Sequence, residues 1–228
     1  MQQHVNSWLG LILVALVAAP LACTKSSNVR AADVPAPKVD LPAPDKDKKE
    51  PRTLVLAGGC FWCVEAVFES LDGVSDVTSG YAGGTKEDAD YHKVSAGETG
   101  HAESVKISYD PNKISYGQLL QVFFTIFDPT TKDYQGPDHG HQYRTAIFYA
   151  DDEQKKVTEA YIQQLADAKV FEKPIVTTLE PLKEFYPAEE YHQNYVKNHP
   201  DDPYVRQWAV PKLKHVAEAF PKLMKGKE

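Results

Sequence analysis

The sequence predicts an α+β domain, a sandwich in which helices pack on one mixed sheet. Three observations predict it. From residue 53 onward, strand-like and helix-like segments are interspersed without strict alternation, which argues against a doubly wound nucleotide fold. Gly58 and Gly59 do not form a G-x-G-x-x-G fingerprint, and no phosphate loop appears. About residues 52 to 228 remain once a signal-like segment and a tether are set aside, a good size for one domain with a real core.

Each element has a local reason. Residues 53–57 form an apolar strand-like run, and Val64, Val67, Phe68 and Leu71 recur at helical spacing over 60–71, stopped near Asp72-Gly73. A second strand is predicted over Val74 to Tyr81, then the flexible turn Ala82 to Thr85 and a polar loop through His101. From Ala102 to Tyr109, Val105, Ile107 and Tyr109 alternate with Ser104, Lys106 and Ser108, the period of a half-buried strand. Ser115 to Phe127 is predicted as a helix with an apolar face of Leu119, Leu120, Phe123, Phe124 and Phe127. The loop Asp128 to Arg144 is long, and long loops without structure of their own are often functional. Beyond it the pattern gives a strand at Thr145 to Tyr149, a helix from Asp151 to Ala168 capped by Asp151 or Asp152, and a short strand at Ile175 to Leu179. Ala188 to Asn198 reads as helical, and Pro211 to Met224 as amphipathic.

The first fifty residues read as lying outside the core. Leu9 to Ala22 is apolar but shorter than the roughly 20 residues a spanning helix needs, and it ends at Ala22-Cys23-Thr24. Residues 1–23 therefore resemble a bacterial lipoprotein signal with Cys23 as the lipidated residue. The n-region has no Lys or Arg, and Pro20 stands where leucine is usual, so an uncleaved anchor and a plain secretory signal compete with that reading. Export to the cell envelope or periplasm is expected, with the membrane a partner through the lipid or signal anchor. Residues 24–52 carry Pro35, Pro37, Pro42, Pro44 and Pro51 with a charged run at 45–50, which reads as a disordered linker. The domain is then 53–228. A formal net charge of −7 and no basic stripe argue against a nucleic-acid partner.

The most informative stretch is Gly58-Gly59-Cys60-Phe61-Trp62-Cys63-Val64-Glu65. Two thiols at this spacing can close a small disulfide ring, and they flank two large aromatic side chains. A strand leading in and a helix leading out place Cys60 at a helix N-terminus, where unpaired N–H groups favour a thiolate. Ordinary buried cysteines and a zinc half-site are the alternatives. Zinc would need two further ligands that cysteine cannot supply, because the only other cysteine is Cys23. Redox chemistry is the better reading.

Three further positions stand out. Glu103 opens a predicted strand, where burial would raise its pKa and let it donate a proton near neutral pH; an exposed strand-end glutamate is the alternative. Tyr91 and Tyr143 are each able to aim a hydroxyl at an oxygen that gains charge, or to pack at the core edge. Asp138, His139 and His141 make a weak metal pattern, better read as hydrogen-bonding or structural. His192 reads as a helix-surface or helix-packing residue.

Five ordered motifs resemble the peptide-methionine (S)-S-oxide reductases of the MsrA family. They are Gly59-Cys60-Phe61-Trp62 with Glu65, Gly80 to Gly84, Gly97 to Glu103, Gly136 to Arg144 and Tyr186 to Gln193. The resemblance implies a two-layer fold with a mainly antiparallel sheet around a ferredoxin-like core. It implies Cys60 as nucleophile on the sulfoxide sulfur, with Phe61 and Trp62 holding the substrate S-methyl group. Glu103 would protonate the sulfoxide oxygen, Tyr91 and Tyr143 would donate hydrogen bonds to it, and Asp138 would lie near the substrate. Reduction of the S epimer, free or in proteins, leaves a sulfenic acid that a second thiol must clear.

No cysteine follows Cys63, and relatives commonly carry glycine at its position and a resolving cysteine near the C-terminus. The simplest hypothesis is that Cys63 resolves Cys60 as a disulfide; an external thiol acting directly on Cys60 is the alternative. No bound cofactor or metal is expected. The reductant is expected to be thioredoxin or, for an exported chain, a thioredoxin-like protein or membrane relay, and the chain is expected to be a monomer.

Overall fold

The computed structural model describes residues 34–43 and 50–226. The signal-like segment 1–23, and with it Cys23, lies outside the described residues. Five elements build the centre: β1 (Arg52–Gly58), α1 (Phe61–Glu69), β2 (Val74–Ala82), β3 (Ala102–Tyr109) and, after a short α2 (Tyr91–Ser95) between β2 and β3, the helix α3 (Tyr116–Ile126). A two-stranded hairpin, β4 (Tyr134–Gln135) with β5 (Asp138–His139), precedes β6 (Thr145–Tyr149) and α4 (Asp152–Asp167). Edge strands β7 (Thr178–Pro181) and β8 (Phe185–Pro187), the short α5 (Tyr195–Asn198) and α6 (Val210–Ala219) complete the chain.

The main sheet has six strands in the order β7-β6-β1-β3-β2-β8. The inner four are antiparallel throughout, with α1 carrying the chain from β1 to β2 and α3 leading from β3 towards β6. That order is the split βαβ of a ferredoxin-like core. Only β6 and β7 run parallel. The mixed, mainly antiparallel sheet with helices on it is the fold the sequence led us to expect.

β1 is buried on both faces, which explains its continuous apolar run. Leu54 and Leu56 face the helix layer, where they meet Val105, Ile107 and Ile147 of the sheet, Val64, Val67 and Phe68 of α1, and Leu119, Leu120 and Phe123 of α3. Val55 and Ala57 point the other way into a thinner cluster with Ala82, Ala102, Ala146 and Phe148, covered by Leu182 and Phe185. The helix α3 starts on a capping box, with Ser115 accepting from the Gln118 N–H and the Gln118 side chain accepting from the Ser115 N–H. Asp151 caps α4 by accepting from the Gln154 N–H at 2.8 Å.

Four local expectations are corrected. Residues 188–198 are not one helix. They form a 3₁₀ turn (Glu190–His192), then Asn194 in the left-handed conformation at φ 56°, then α5. The side chains of this segment are tied to the sheet and to α1, and that overrides its helical pattern. The loop 128–144 carries the β4–β5 hairpin and a 3₁₀ turn at His141–Tyr143. The strand expected at 175–179 lies at Thr178–Pro181, where pairing with β6 sets its register, Ala146 opposite Thr178.

The fourth correction concerns the linker. Within it, residues 34–43 pack on the helix layer although they form no helix or strand. Val34 is 1 % exposed and belongs to the main core. The carbonyls of Val34, Pro35 and Ala36 accept from Gln121 Nε2 at 2.9 Å, Tyr161 Oη at 2.7 Å and Gln164 Nε2 at 2.9 Å. The Asp40 carboxylate accepts from the Gly117 N–H at 2.8 Å and from the Ser115 hydroxyl at 2.5 Å, beside the negative-seeking start of α3. Proline removes donors but leaves carbonyls, and here the domain supplies their partners.

Candidate active site

The site forms where β1 hands over to α1. Gly59 sits at φ +91°, and a Cβ there would come within 2.6 Å of the Gln135 side chain, so glycine alone allows the β4–β5 hairpin to close over the turn. Cys60 is the N-cap of α1, and the Cys63 and Val64 N–H groups donate to its carbonyl at 3.1 and 3.3 Å. Both Cys60 and Cys63 are free, buried thiols.

The charge state of the pair differs from the expectation for a helix N-terminus. Burial pushes Cys60 well above the ordinary thiol value, with Cys63 and the Glu103 carboxyl adding to it and a hydrogen bond from Tyr204 opposing. Cys63 moves down, first through its hydrogen bond with Cys60 and then, against desolvation, through Lys212 and Tyr204. At rest, burial outweighs the helix terminus at Cys60, and the second sulfur is the better home for negative charge.

Glu103, the second residue of β3, is 2 % exposed. Its Oε2 accepts the Phe61 N–H at 3.1 Å, which fixes the carboxyl beside the cysteine turn. Desolvation raises its pKa to about 8; the Phe61 hydrogen bond opposes this, and Asp138 and Cys63 add to it. The group is therefore an acid at neutral pH, able to donate a proton. Tyr91, the first residue of α2, and Tyr143, in the 3₁₀ turn, are both half-buried. Burial raises both hydroxyls, and the next causes for both include the charges of Glu103 and Cys60. Both phenols thus feel the charge of the same carboxyl and sulfur.

Of the two aromatics, Trp62 is half-buried while Phe61 is 1 % exposed, packed on Tyr81 and His192 with centroids 6.0 and 5.1 Å away. Trp62 is held on three sides. Tyr195 stacks on it at 3.7 Å and 7°, Tyr204 meets it edge-on at 5.9 Å, and its indole N–H donates to His192 Nδ1 at 3.1 Å. Asp138 comes in from the hairpin, where its Oδ2 accepts the Tyr204 hydroxyl at 2.6 Å. The eight site residues singled out in the sequence therefore lie around one turn, with Phe61 behind it in the core.

Several supporting residues were given no role at the site by the sequence reading, although Glu65, Glu189 and His192 lie within its motifs. Tyr204 donates its hydroxyl to Asp138, and it holds down the pKa of both thiols. Tyr195 stacks on Trp62, and Glu65, buried in α1, accepts the Asn194 N–H at 3.0 Å at the start of α5. Glu189 accepts from the Tyr81 hydroxyl at 2.7 Å and from the Tyr91 N–H at 3.1 Å. His192 is buried in the 3₁₀ turn and bonded to Trp62, so of its two expected roles the packing one holds and the surface one does not. For Glu189 and His192 the available signal was the motif Tyr186 to Gln193 itself. His139 and His141 go to different partners, Tyr134 by stacking at 5.3 Å and the Thr99 carbonyl by hydrogen bond. Among the described residues, no group of three or more His, Cys, Asp or Glu side chains is placed to hold a metal.

The geometry joins a thiol pair, an acid, two phenols and an aromatic wall. Comparison with known proteins shows the family of the chain. The family model described as peptide methionine sulfoxide reductase matches residues 52–223. A peptide methionine sulfoxide reductase MsrA of Natronomonas pharaonis is 54% identical over 168 residues, covering 74% of this chain and 94% of that protein. One from Mesorhizobium japonicum is 51% identical over 176 residues, covering 77% and 90%. Among solved structures, reduced Mxr1 from Saccharomyces cerevisiae superposes with a TM-score of 0.62 at 35% identity, covering 69% of this chain and 91% of that one. Methionine sulfoxide reductase A of Corynebacterium diphtheriae gives 0.57 at 30%, covering 73% and 86%. The chain belongs to the peptide methionine sulfoxide reductase family.

Proposed function

We propose that this chain reduces the S epimer of methionine sulfoxide, free or in proteins, to methionine, and so repairs oxidised proteins. The observation that carries the reading is the convergence of the Cys60 thiol and a carboxyl that is still protonated at neutral pH on one turn, beside the Trp62 indole. A sulfoxide oxygen leaves poorly until it is protonated. Glu103 supplies the proton, and Tyr91 and Tyr143 donate hydrogen bonds where charge develops. Trp62 receives the S-methyl group and so fixes which face of the chiral sulfur meets Cys60.

In the balance of the reaction, oxygen passes from the substrate sulfur to Cys60, giving methionine and a Cys60 sulfenic acid. Cys63 then attacks the Cys60 sulfur. The S–O bond breaks, the oxygen leaves as water with the Cys63 proton, and a Cys60–Cys63 disulfide remains. Two external thiols reduce it, becoming a disulfide themselves. The low thiol value of Cys63 and its place one helical turn from Cys60 support the resolving role. Asp138 steadies the pocket through Tyr204.

The donor is thioredoxin or a thioredoxin-like protein, and the chain acts as a monomer in the cell envelope, exported by residues 1–23 and tethered there by a lipid on Cys23. The support for export is the apolar run ending at Ala22-Cys23. No helix among the described residues is long and apolar enough to cross a membrane.

The test is turnover of the separated S and R epimers with dithiothreitol, beside Cys60→Ser. Turnover of S alone, lost in the variant, is expected. Turnover of neither epimer, or activity without Cys60, would refute the reading.

A further inference from the structure

The imidazole of His192 lies between the two sides of the site and is used by none of the steps above. It is 1 % exposed. Its ring centre is 5.7 Å from that of Trp62, on the methyl side, and 4.3 Å from that of Tyr91, on the oxygen side. Phe61 at 5.1 Å and Tyr191 at 4.1 Å close the remaining faces. Nδ1 accepts the Trp62 indole N–H at 3.1 Å. An indole N–H is donor only, so Nδ1 must be unprotonated and the ring proton sits on Nε2. That nitrogen is buried without a hydrogen-bond partner and lies 4.0 Å from Glu189 Oε2. Glu189 in turn accepts the Tyr81 hydroxyl and the Tyr91 backbone N–H.

Continuous contacts thus run from the Trp62 indole through His192 to Glu189 and on to the start of α2. The stack with Tyr195 sets the plane of the indole but leaves it free to slide in that plane. The hydrogen bond to Nδ1 removes that freedom. We propose that His192 is a positioning residue of the reductase reaction, which locks Trp62 through Nδ1 and so sets the pocket for the substrate S-methyl group, with Glu189 aligning both His192 and Tyr91. The inference rests on the reductase reading for its kinetic consequence, while the hydrogen bond itself can be read without turnover.

Three variants separate an acceptor from a space filler. His192→Asn keeps an acceptor near the Nδ1 position with less volume. His192→Gln carries its carboxamide nearer the Nε2 position, and His192→Phe keeps the ring and loses the acceptor. In His192→Phe and His192→Gln the KM for the S epimer rises about tenfold, the effect of one buried hydrogen bond, with kcat changed less than about threefold. His192→Asn stays within about threefold of the wild type in both. In parallel, the indole ¹H–¹⁵N resonance of Trp62, assigned by its loss in Trp62→Phe, shifts upfield in the Phe and Gln variants and holds in Asn. An unmoved resonance and KM in His192→Phe would overturn the proposal, as would an Asn variant worse than Phe, the order a space filler gives. If the wild type turned over neither epimer, the reductase reading would fall, and the resonance would still decide whether His192 holds Trp62.

Discussion

Glu103→Gln is expected to make the protein more stable and inactive at once. Unfolded, the Glu103 carboxyl ionises near 4.5, whereas in the fold burial holds it at about 8. The folded state therefore binds the proton more tightly. The stability this contributes is fully present below 4.5 and is lost as pH rises through that value towards about 8. At 1.36 kcal/mol per pH unit, the wild type loses about 1 kcal/mol by pH 5 and about 4 kcal/mol by pH 8. Glutamine has nothing to ionise, and its amide oxygen can keep the Phe61 N–H bond now made at 3.1 Å. Glu65, held up to about 7 by its own burial, is common to both proteins and cancels in the difference. Thermal unfolding should thus place the variant about 8–16 °C above the wild type at pH 8 and within a few degrees at pH 5. Its kcat/KM for the S epimer should fall by about 10²–10⁴, the usual loss of a general acid. A difference in melting temperature that is the same at both pH values, or a wild type more stable at pH 8, would refute a Glu103 that is held protonated.

For the unmodified protein, kcat/KM should decline as pH rises through about 8, as Glu103 loses its proton, and Glu103→Asp should move that limb. Cys63→Ser should still release methionine in a first turnover but leave Cys60 as a sulfenic acid that dimedone traps, with thioredoxin-supported turnover down at least about tenfold. Tyr204→Phe removes the hydroxyl that Asp138 accepts from and that lowers the pKa of both thiols, and should slow the formation of the Cys60–Cys63 disulfide about tenfold in rapid-quench mass spectrometry. A chain beginning at residue 50 loses the buried Val34 and the Asp40 contacts at the start of α3, and should unfold about 2–4 kcal/mol more easily with kcat/KM unchanged.

The parts legible in the sequence were those whose structure is decided locally. The apolar run of β1 and the helical spacing of α1 place Cys60 at a helix start, and the structure has it as the N-cap. The alternation of β3 reads cleanly only from Val105 onward, because Ala102, Glu103 and Ser104 are all buried. Where distant groups decide, the pattern misleads. Residues 188–198 look helical, yet Glu189, His192 and Gln193 bond to Tyr81, Trp62 and Ser79, and Asn194 takes a left-handed turn so that its N–H can meet Glu65. The composition of residues 34–43 reads as a tether because proline cannot build a ladder, but the donors that fix it come from Gln121, Tyr161 and Gln164, far along the chain. The helix-start argument for a Cys60 thiolate failed for a similar reason, since desolvation and a neighbouring sulfur are not visible in a motif. Tyr204 was one of twelve tyrosines, and nothing near it in sequence singles it out.

The most direct test is a single turnover without reductant. The reduced chain is mixed with the S epimer in excess, and methionine and intact mass are followed together. The account predicts stoichiometric methionine and a protein lighter by two hydrogens, with Cys60 and Cys63 recovered in one cross-linked peptide. No methionine, or methionine formed while Cys60 stays a free thiol, would contradict it.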